Sequence, residues 1–168
     1  KLNIACIGVT NQARFSVDNV KSQNIVALCD IDDRHSDAAA KEFKAEKYAD
    51  FRKCLDQKNI DAVTVCTTDH THAPASMKAI KLGKHVYCEK PLTHTVYEAR
   101  ALAKAAEEKK VATQMGTQIH AEDNYRRVVE LIEDGLLGKI TEVHTWAGRS
   151  WGGGERPKET PPVPPYLH

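Results

Sequence analysis

The stretch LNIACIGVTNQA (residues 2–13) joins an apolar run to a turn of small and polar residues. The run, Leu2 to Ile7, suits a strand that is buried on both faces. Gly8, Thr10 and Ala13 then occupy the three fixed positions of the G-x-G-x-x-G/A pattern, which cradles a pyrophosphate. Thr10 departs from it, because a glycine there lets the backbone approach the pyrophosphate. The stretch predicts a phosphate-binding turn, with an ordinary strand-to-helix turn as the alternative. The predicted cofactor contacts of this turn are Gly8, Val9, Thr10, Asn11 and Gln12.

Strand-like and helical patterns alternate along the next hundred residues. Four more apolar runs of strand length lie at residues 25–29, 62–66, 85–88 and 111–115. Between the runs at 85–88 and 111–115, Thr95 and Glu98 form a capping-box signature, which predicts the start of a helix. Its apolar stripe is Val96, Ala99, Ala103 and Ala106. This alternation predicts an α/β fold, a doubly wound parallel Rossmann sheet.

The pattern changes after the predicted Rossmann domain, residues 1–120. Residues 121–148 read as a connecting helix and a first strand at 139–146, and the helix ends at Gly135 or Gly138. The apolar stripe of this helix is Tyr125, Val128, Val129, Ile132 and Leu136. Residues 149–168 are rich in glycine and proline and read as loop or linker. We therefore predict that only the beginning of a second α/β domain is present and that the chain is a fragment.

The composition excludes several classes of protein. The 168 residues include 24 basic and 23 acidic ones, so no global charge attracts nucleic acid or an anionic membrane. No apolar stretch reaches the about 18 residues that a membrane span needs. The five cysteines form no C-x-x-C pair, and four lie in apolar runs, which favours reduced, buried thiols. A cytoplasmic location is expected, with an export signal removed before Lys1 as the alternative.

Asp30 is the candidate that selects the cofactor. It ends the second apolar run, about 20 residues beyond the glycine turn, where a carboxylate accepts hydrogen bonds from the ribose of NAD. A carboxylate there repels a 2′-phosphate, which favours NAD over NADP. Arg34 lies close enough in sequence to weaken that preference, and a solvated loop acid is the alternative for Asp30.

Residues 66–72, CTTDHTH, begin at the last residue of the strand-like run at 62–66. The predicted cofactor contacts here are Thr67, Thr68, Asp69 and His72. A metal site of Asp69 with His70 and His72 is the alternative. It is disfavoured because no further set of ligands stands at a suitable spacing, so we predict no metal.

The stretch HVYCEKP (residues 85–91) places a glutamate and a lysine just beyond a buried run. Ligands of open α/β sheets bind beyond the carboxyl ends of the strands. A lysine at that edge acts on a substrate hydroxyl once burial or nearby charge lowers its pKa. The alternative is a charged turn that leaves a strand.

Together these residues resemble the Gfo/Idh/MocA family, the relatives of glucose–fructose oxidoreductase and inositol dehydrogenase. The most specific element is the Glu-Lys-Pro core of residues 83–92. The other matching elements are the Gly8 turn, Asp30, and residues 66–72, 117–127 and 138–140. Thr10 and Thr68 depart from the family pattern, which commonly has glycine and proline there. Family members also carry a second domain that covers the nicotinamide and supplies further substrate contacts, and we expect only its beginning in this sequence.

The resemblance implies an enzyme that transfers a hydride between a sugar or cyclitol carbon and the nicotinamide of NAD, with NADP less favoured. Lys90 would assist proton movement at the reacting hydroxyl, and Glu89 would position Lys90 or the cofactor. It also implies a cis bond between Lys90 and Pro91. Glu89, Lys90 and Pro91 would contact the cofactor. His120 is the third candidate catalytic residue. The predicted substrate contacts are His120, Asn124, Tyr125 and Arg126, for which surface or core positions are the alternative.

Other functions remain open at this point. Some relatives retain NAD and process glycosides with no net redox change. A nucleotide-binding module without catalysis is a third hypothesis, and a metal-dependent hydrolase a fourth. The fragment alone is expected to be inactive, the full-length protein to be a homo-oligomer, and neither nucleic acid nor a membrane is expected as a partner.

Overall fold

A computed structural model describes residues 1–148 and 159–168. The glycine run and the first proline of the predicted linker lie outside these residues. The described chain divides into two units. Lys1–Gly116 and Pro164–His168 form the first unit, and Thr117–Val163 form the second.

The first unit is built on a parallel sheet of six strands in the order β3-β2-β1-β4-β5-β6. Its strands are β1 (Asn3–Ile7), β2 (Asn24–Cys29), β3 (Glu46–Tyr48), β4 (Ala62–Val65), β5 (His85–Glu89) and β6 (Thr113–Gly116). Its helices are α1 (Gln12–Val20), α2 (Asp33–Phe43), α3 (Phe51–Leu55), α4 (Asp69–Lys81) and α5 (Val96–Lys109). This strand order places a topological switch point between β1 and β4. The predicted doubly wound Rossmann sheet is confirmed.

The central strand β1 shows why the sheet is covered on both faces. Ala5 and Ile7 belong to one buried cluster, with Leu55 and Ile80. Ile4 and Cys6 belong to a second cluster, with Val17 and Leu28. Successive side chains of a strand point to opposite faces. Both faces are therefore packed, which explains the continuous apolar runs.

Two strand predictions need correction. The strand β3 was missed, because it is only three residues long, EKY, and two of these are charged and exposed. The run 111–115 begins too early, because the Val111 N–H donates to the Ala106 carbonyl at the end of α5. Residues 111 and 112 therefore finish the turn after the helix, and β6 begins at Thr113.

The capping box of α5 is confirmed, but the predicted stripe is wrong in part, since Ala106 packs against the core and Ala103 is exposed. The Glu98 N–H donates to Thr95 Oγ1 at 3.2 Å, and the Thr95 N–H donates to Glu98 Oε2 at 2.9 Å. Leu102 is the buried residue of this helix, whereas Val96 is 69% exposed. The stripe was displaced because the small alanines give a weak apolar contrast around the helix.

The thiols are free, as predicted, and Cys6, Cys29, Cys54 and Cys88 are buried. Burial raises the pKa of Cys54 to about 12 and that of Cys88 to about 11. The thiolate is the reactive form. We expect an aromatic disulfide reagent at pH 8 to modify the native chain slowly, with half-buried Cys66 reacting first, and to titrate all five thiols after denaturation. Rapid modification of several native thiols would contradict this packing.

The second unit contains one helix in its described part, α6 (Asp123–Glu133), which is followed by Gly135 at φ +70°. Between residues 117 and 148 no strand is present, so the prediction of a strand at 139–146 is wrong there. A strand needs a hydrogen-bonding neighbour, and the described part of this unit offers none. The apolar stripe of α6 is also exposed, and no residue of this helix is buried. No helix in the described ranges is long and apolar enough to cross a membrane.

Candidate functional site

A cleft of about 540 Å³ opens at the carboxyl ends of β1 and β4, the switch point of the sheet. Its floor is the turn from Gly8 to Ala13. Its walls come from the segments that follow β2 and β4, including Asp30, Ile31, Thr67 and Thr68. All five residues that the sequence predicted as turn contacts line this cleft.

Gly8 allows the turn to pass close to the neighbouring strand. Its φ of +89° lies in the left-handed region, and an added Cβ would lie against the Cys66 carbonyl oxygen and 2.8 Å from its carbon. The Gly8 N–H donates to the Cys29 carbonyl at 2.8 Å, which fixes the turn to the end of β2. Only glycine combines this backbone angle with this close approach.

The amino terminus of α1 opens into the same cleft. Asn11 is its N-cap residue, with φ +51° and no side-chain capping bond. With ψ −123°, Asn11 lies outside the left-handed helical region, in a conformation that glycine adopts most easily. The Ala13 and Arg14 N–H groups donate to the Thr10 and Asn11 carbonyls at 3.0 and 3.1 Å, but no side chain covers this terminus. Its positive dipole end therefore faces the cleft, where an anion such as a pyrophosphate is favoured.

Asp30 is held at the mouth of the turn. Its Oδ2 accepts the Val9 N–H at 3.1 Å, and its Oδ1 accepts the Asp32 N–H at 3.0 Å. A carboxylate has about four acceptor positions, so two remain for a ligand. Asp30 therefore lines the cleft with acceptor positions to spare.

The loop between β4 and α4 differs from its prediction in part. Thr67 and Thr68 line the cleft, and so do His70 and Thr71, which the sequence did not assign to it. The Thr71 hydroxyl donates to Thr67 Oγ1 at 2.6 Å and fixes that side chain. Asp69 is exposed in the first turn of α4 and is not among the residues that line the cleft. Only the fold could reveal Thr71, since its place depends on the first turn of α4.

His72 was predicted to turn its ring nitrogens toward the cofactor, but the structure places them elsewhere. The side chain is 1% exposed. Its Nδ1 lies 2.6 Å from the Pro91 carbonyl oxygen, and its Nε2 lies 3.0 Å from the Thr67 carbonyl oxygen. The ring thus connects the loop after β4 to the loop after β5. With both nitrogens against backbone oxygens, His72 is not available to a metal.

Glu89 and Lys90 lie at the carboxyl end of β5, next to β4 and at the same edge of the sheet as the cleft. Glu89 is 5% exposed, and its Oε2 has no hydrogen-bond partner among the described residues. The Tyr87 hydroxyl donates to Oε1 at 3.4 Å. Lys90 is exposed, and the Lys90–Pro91 bond is cis, as the resemblance implied. A buried carboxylate oxygen without a protein partner can accept a hydrogen bond from a ligand.

The predicted substrate residues belong to the second unit and stay predictions. The His120 and Tyr125 rings stack with their centroids 4.8 Å apart. Asn124 and Arg126 are exposed near the start of α6. Across residues 1–148 and 159–168, no three His, Cys, Asp or Glu side chains are grouped as metal ligands would be.

A doubly wound sheet with this turn, an open α1 terminus and Asp30 at its mouth defines a dinucleotide-binding domain, and the residues present fit that ligand. The family comparison agrees. The model for GFO_IDH_MocA, the oxidoreductase family with an NAD-binding Rossmann fold, matches residues 2–117. The chain belongs to this family.

Individual relatives are cyclitol and sugar dehydrogenases. Inositol 2-dehydrogenase of Salmonella paratyphi B is 26% identical over 171 residues, which cover 99% of this chain and 50% of that protein. D-xylose 1-dehydrogenase [NADP(+)] of Haloarcula marismortui is 28% identical over 151 residues, covering 85% of this chain and 42% of that protein. The solved myo-inositol 2-dehydrogenase of Lactobacillus plantarum has a TM-score of 0.75 at 26% identity, over 83% of this chain and 43% of that chain. The chain thus spans about half the length of the curated relatives it matches, or less.

Proposed function

We propose that the whole protein is an NAD-dependent oxidoreductase that transfers a hydride between a sugar or cyclitol carbon and the nicotinamide. The observation that carries this proposal is the placement of Glu89 and Lys90 at the same sheet edge as the cleft. The family supports an oxidoreductase, and the relatives named above act on cyclitols or sugars.

The dinucleotide would be held by the Gly8 turn, the amino terminus of α1 and Asp30. The remaining acceptor positions of Asp30 suit the two hydroxyls of the adenosine ribose, and its charge opposes a 2′-phosphate. Thr67, Thr68 and Thr71 offer hydroxyl groups along the opposite wall. When bound, the nicotinamide supplies the hydride acceptor.

Lys90 would hydrogen-bond the hydroxyl of the carbon that is oxidised. As the C–H bond breaks and its electron pair leaves as hydride, Lys90 Nζ would take up the O–H proton. Glu89 would orient the lysine or the nicotinamide end of the cofactor through its unpartnered Oε2. His120, Asn124, Tyr125 and Arg126 would complete the substrate side in the whole protein.

The cofactor part of this proposal is tested by titrating NAD and NADP into the purified chain by calorimetry. We expect NAD to bind more tightly than NADP. Asp30→Ala should weaken NAD binding by about tenfold or more, since it removes hydrogen bonds to a charged acceptor. Asp56→Ala is the control, because Asp56 is an exposed carboxylate that pairs with Lys78 outside the cleft. Equal NAD affinities in the two variants would contradict the assignment of Asp30.

The enzymatic part is tested on the full-length protein with a panel of free cyclitols and sugars, following NADH by absorbance. Net formation of NADH supports the proposal. Cleavage of a glycoside without net NADH formation would show an enzyme with no net redox change. Tight NAD binding with neither activity would show a nucleotide-binding module.

A further inference from the structure

Residues 164–168, here called the strap, pack against the segment that joins β2 to α2. The His168 N–H donates to the Ile31 carbonyl at 3.0 Å, and Leu167 forms an antiparallel bridge with Asp32. The His168 ring nitrogen Nε2 lies 2.7 Å from Asp33 Oδ2. The strap is therefore fixed to residues 31–33, the segment that directly follows Asp30. It had been predicted as part of a loop or linker.

The strap helps to close the amino terminus of α2. The first four backbone N–H groups of this helix, at residues 33–36, are all bonded within the protein. Asp32 accepts three of them through its carbonyl oxygen and Oδ1, and the Tyr166 carbonyl accepts that of Asp33 at 3.0 Å. A helix terminus binds an anion through free N–H groups. This terminus has none to offer in its first turn.

Arg34, in the first turn of α2, is held by the same two residues, Asp32 and Tyr166. Asp32, which is 7% exposed, accepts hydrogen bonds from Arg34 Nε at 3.0 Å and Nη2 at 2.6 Å. The Tyr166 ring covers the guanidinium, whose carbon lies 3.7 Å from the ring centroid. Arg34 is not among the residues that line the cleft. Lys47, another cation of this region, bonds to Asp33 and Asp37 at 2.9 and 2.7 Å.

A 2′-phosphate on the adenosine ribose needs a cation and hydrogen-bond donors beside it, and arginine is the side chain that commonly supplies both. Arg34 lies at the amino terminus of α2, the end that follows Asp30. Its guanidinium is bound on one edge by the Asp32 carboxylate and covered on one face by the Tyr166 ring. The surrounding carboxylates of Asp30, Asp32 and Asp33 oppose a further negative charge.

We infer that Tyr166 determines cofactor selectivity: together with Asp32 it holds Arg34 and seals the start of α2, so that the 2′-phosphate of NADP finds no ligand. This inference rests on the proposed function, because it concerns how the same site distinguishes its two nucleotides. It assigns a binding role to a residue far along the chain from the Rossmann motifs.

The test compares the dissociation constants of NAD and NADP for the chain and its variants by calorimetry. In the double variant Asp32→Asn/Tyr166→Ala, asparagine still caps the helix but no longer holds the guanidinium by charge. We expect NADP to bind about tenfold more tightly than in the unchanged chain, the effect of one charge-assisted contact. NAD binding should stay within about threefold, which also reports that the cleft is folded. Adding Arg34→Ala to the double variant should abolish the gain.

Two controls separate this mechanism from a general change in charge. Tyr166→Phe retains the ring over Arg34 and should leave both affinities unchanged. Asp37→Asn removes a carboxylate from the same helix without contacting Arg34, while Lys47 keeps its bond to Asp33, so NADP binding should change by less than about twofold. If the double variant loses NAD binding, Tyr166→Ala alone decides, with a smaller gain of NADP binding expected.

The inference is overturned if NAD binds to every chain but NADP binding does not increase, or if it increases equally in Asp37→Asn. A gain that persists without Arg34 also overturns it. If the unchanged chain binds neither nucleotide, the proposed function fails and the inference fails with it. If NAD still binds and only the expected increase in NADP affinity is missing, the inference fails but the proposed function is unaffected.

Discussion

Replacing Gly8 by alanine is expected to abolish measurable NAD binding and to lower the free energy of unfolding by about 3 kcal/mol. Two costs combine at this position. The φ of +89° is unfavourable for any residue with a Cβ, and that Cβ would lie against the Cys66 carbonyl oxygen. Because the Cys66 carbonyl belongs to the backbone, the clash is relieved only by moving β1 away from β4, which deforms the cleft. Urea denaturation and NAD titration measure the two effects.

Gly83→Ala is the matched control. Gly83 has a similar φ of +76°, but an added Cβ meets nothing within 4 Å. This variant carries the backbone cost alone, about 1–2 kcal/mol, and should bind NAD normally. The difference between the two variants isolates the close approach at the turn. Equal losses of stability, with NAD binding retained in Gly8→Ala, would show that the turn tolerates a side chain.

Replacing Lys90 by methionine is expected to lower kcat of the full-length enzyme by about 10²–10⁴-fold, the usual contribution of a positioned acid or base. The NAD dissociation constant should change little, since the proposed role of Lys90 lies at the substrate hydroxyl. Lys90→Arg should not restore activity, because arginine stays protonated and cannot accept the proton. Steady-state kinetics and NAD titration of the same preparations measure both quantities.

Lys58→Met is the control for removal of a lysine, because Lys58 is exposed in the loop after α3 and does not line the cleft. Its kcat should equal that of the unchanged enzyme. An activity of Lys90→Met within about tenfold of the unchanged enzyme would remove Lys90 from the chemistry.

Local patterns were sufficient where the fold depends on burial alone. The runs at residues 25–29 and 85–88 agree with β2 and β5 to within one residue, and the Thr95 capping box is present. These signals work because a strand covered on both faces is apolar throughout, and because a cap is a contact between residues three positions apart. The same patterns misplaced the stripe of α5, where small alanines give little contrast.

The predicted site shows the same division. The contacts of the turn and Asp30 follow from a fixed spacing along one strand, one turn and the next strand, so the sequence reveals them. The positions of Asp69 and His72 depended on the direction in which α4 leaves the sheet. Both side chains lie outside the cleft, and Thr71 takes a place in its wall. Adjacent residues on a helix point in different directions, which a loop pattern does not encode.

By itself, the sequence determined the class of fold, the family and the ends of the central strands to within about one residue, because each depends on periodicity or on a short motif. Tertiary structure decided that Cys66 closes on Gly8, that His72 joins two loops, and that Tyr166 covers Arg34. It also decided that residues 139–146 have no neighbouring strand in the described part of their unit. The reason is physical: these contacts join residues that are distant along the chain. Their geometry depends on how strands and helices pack, which no local spacing reports.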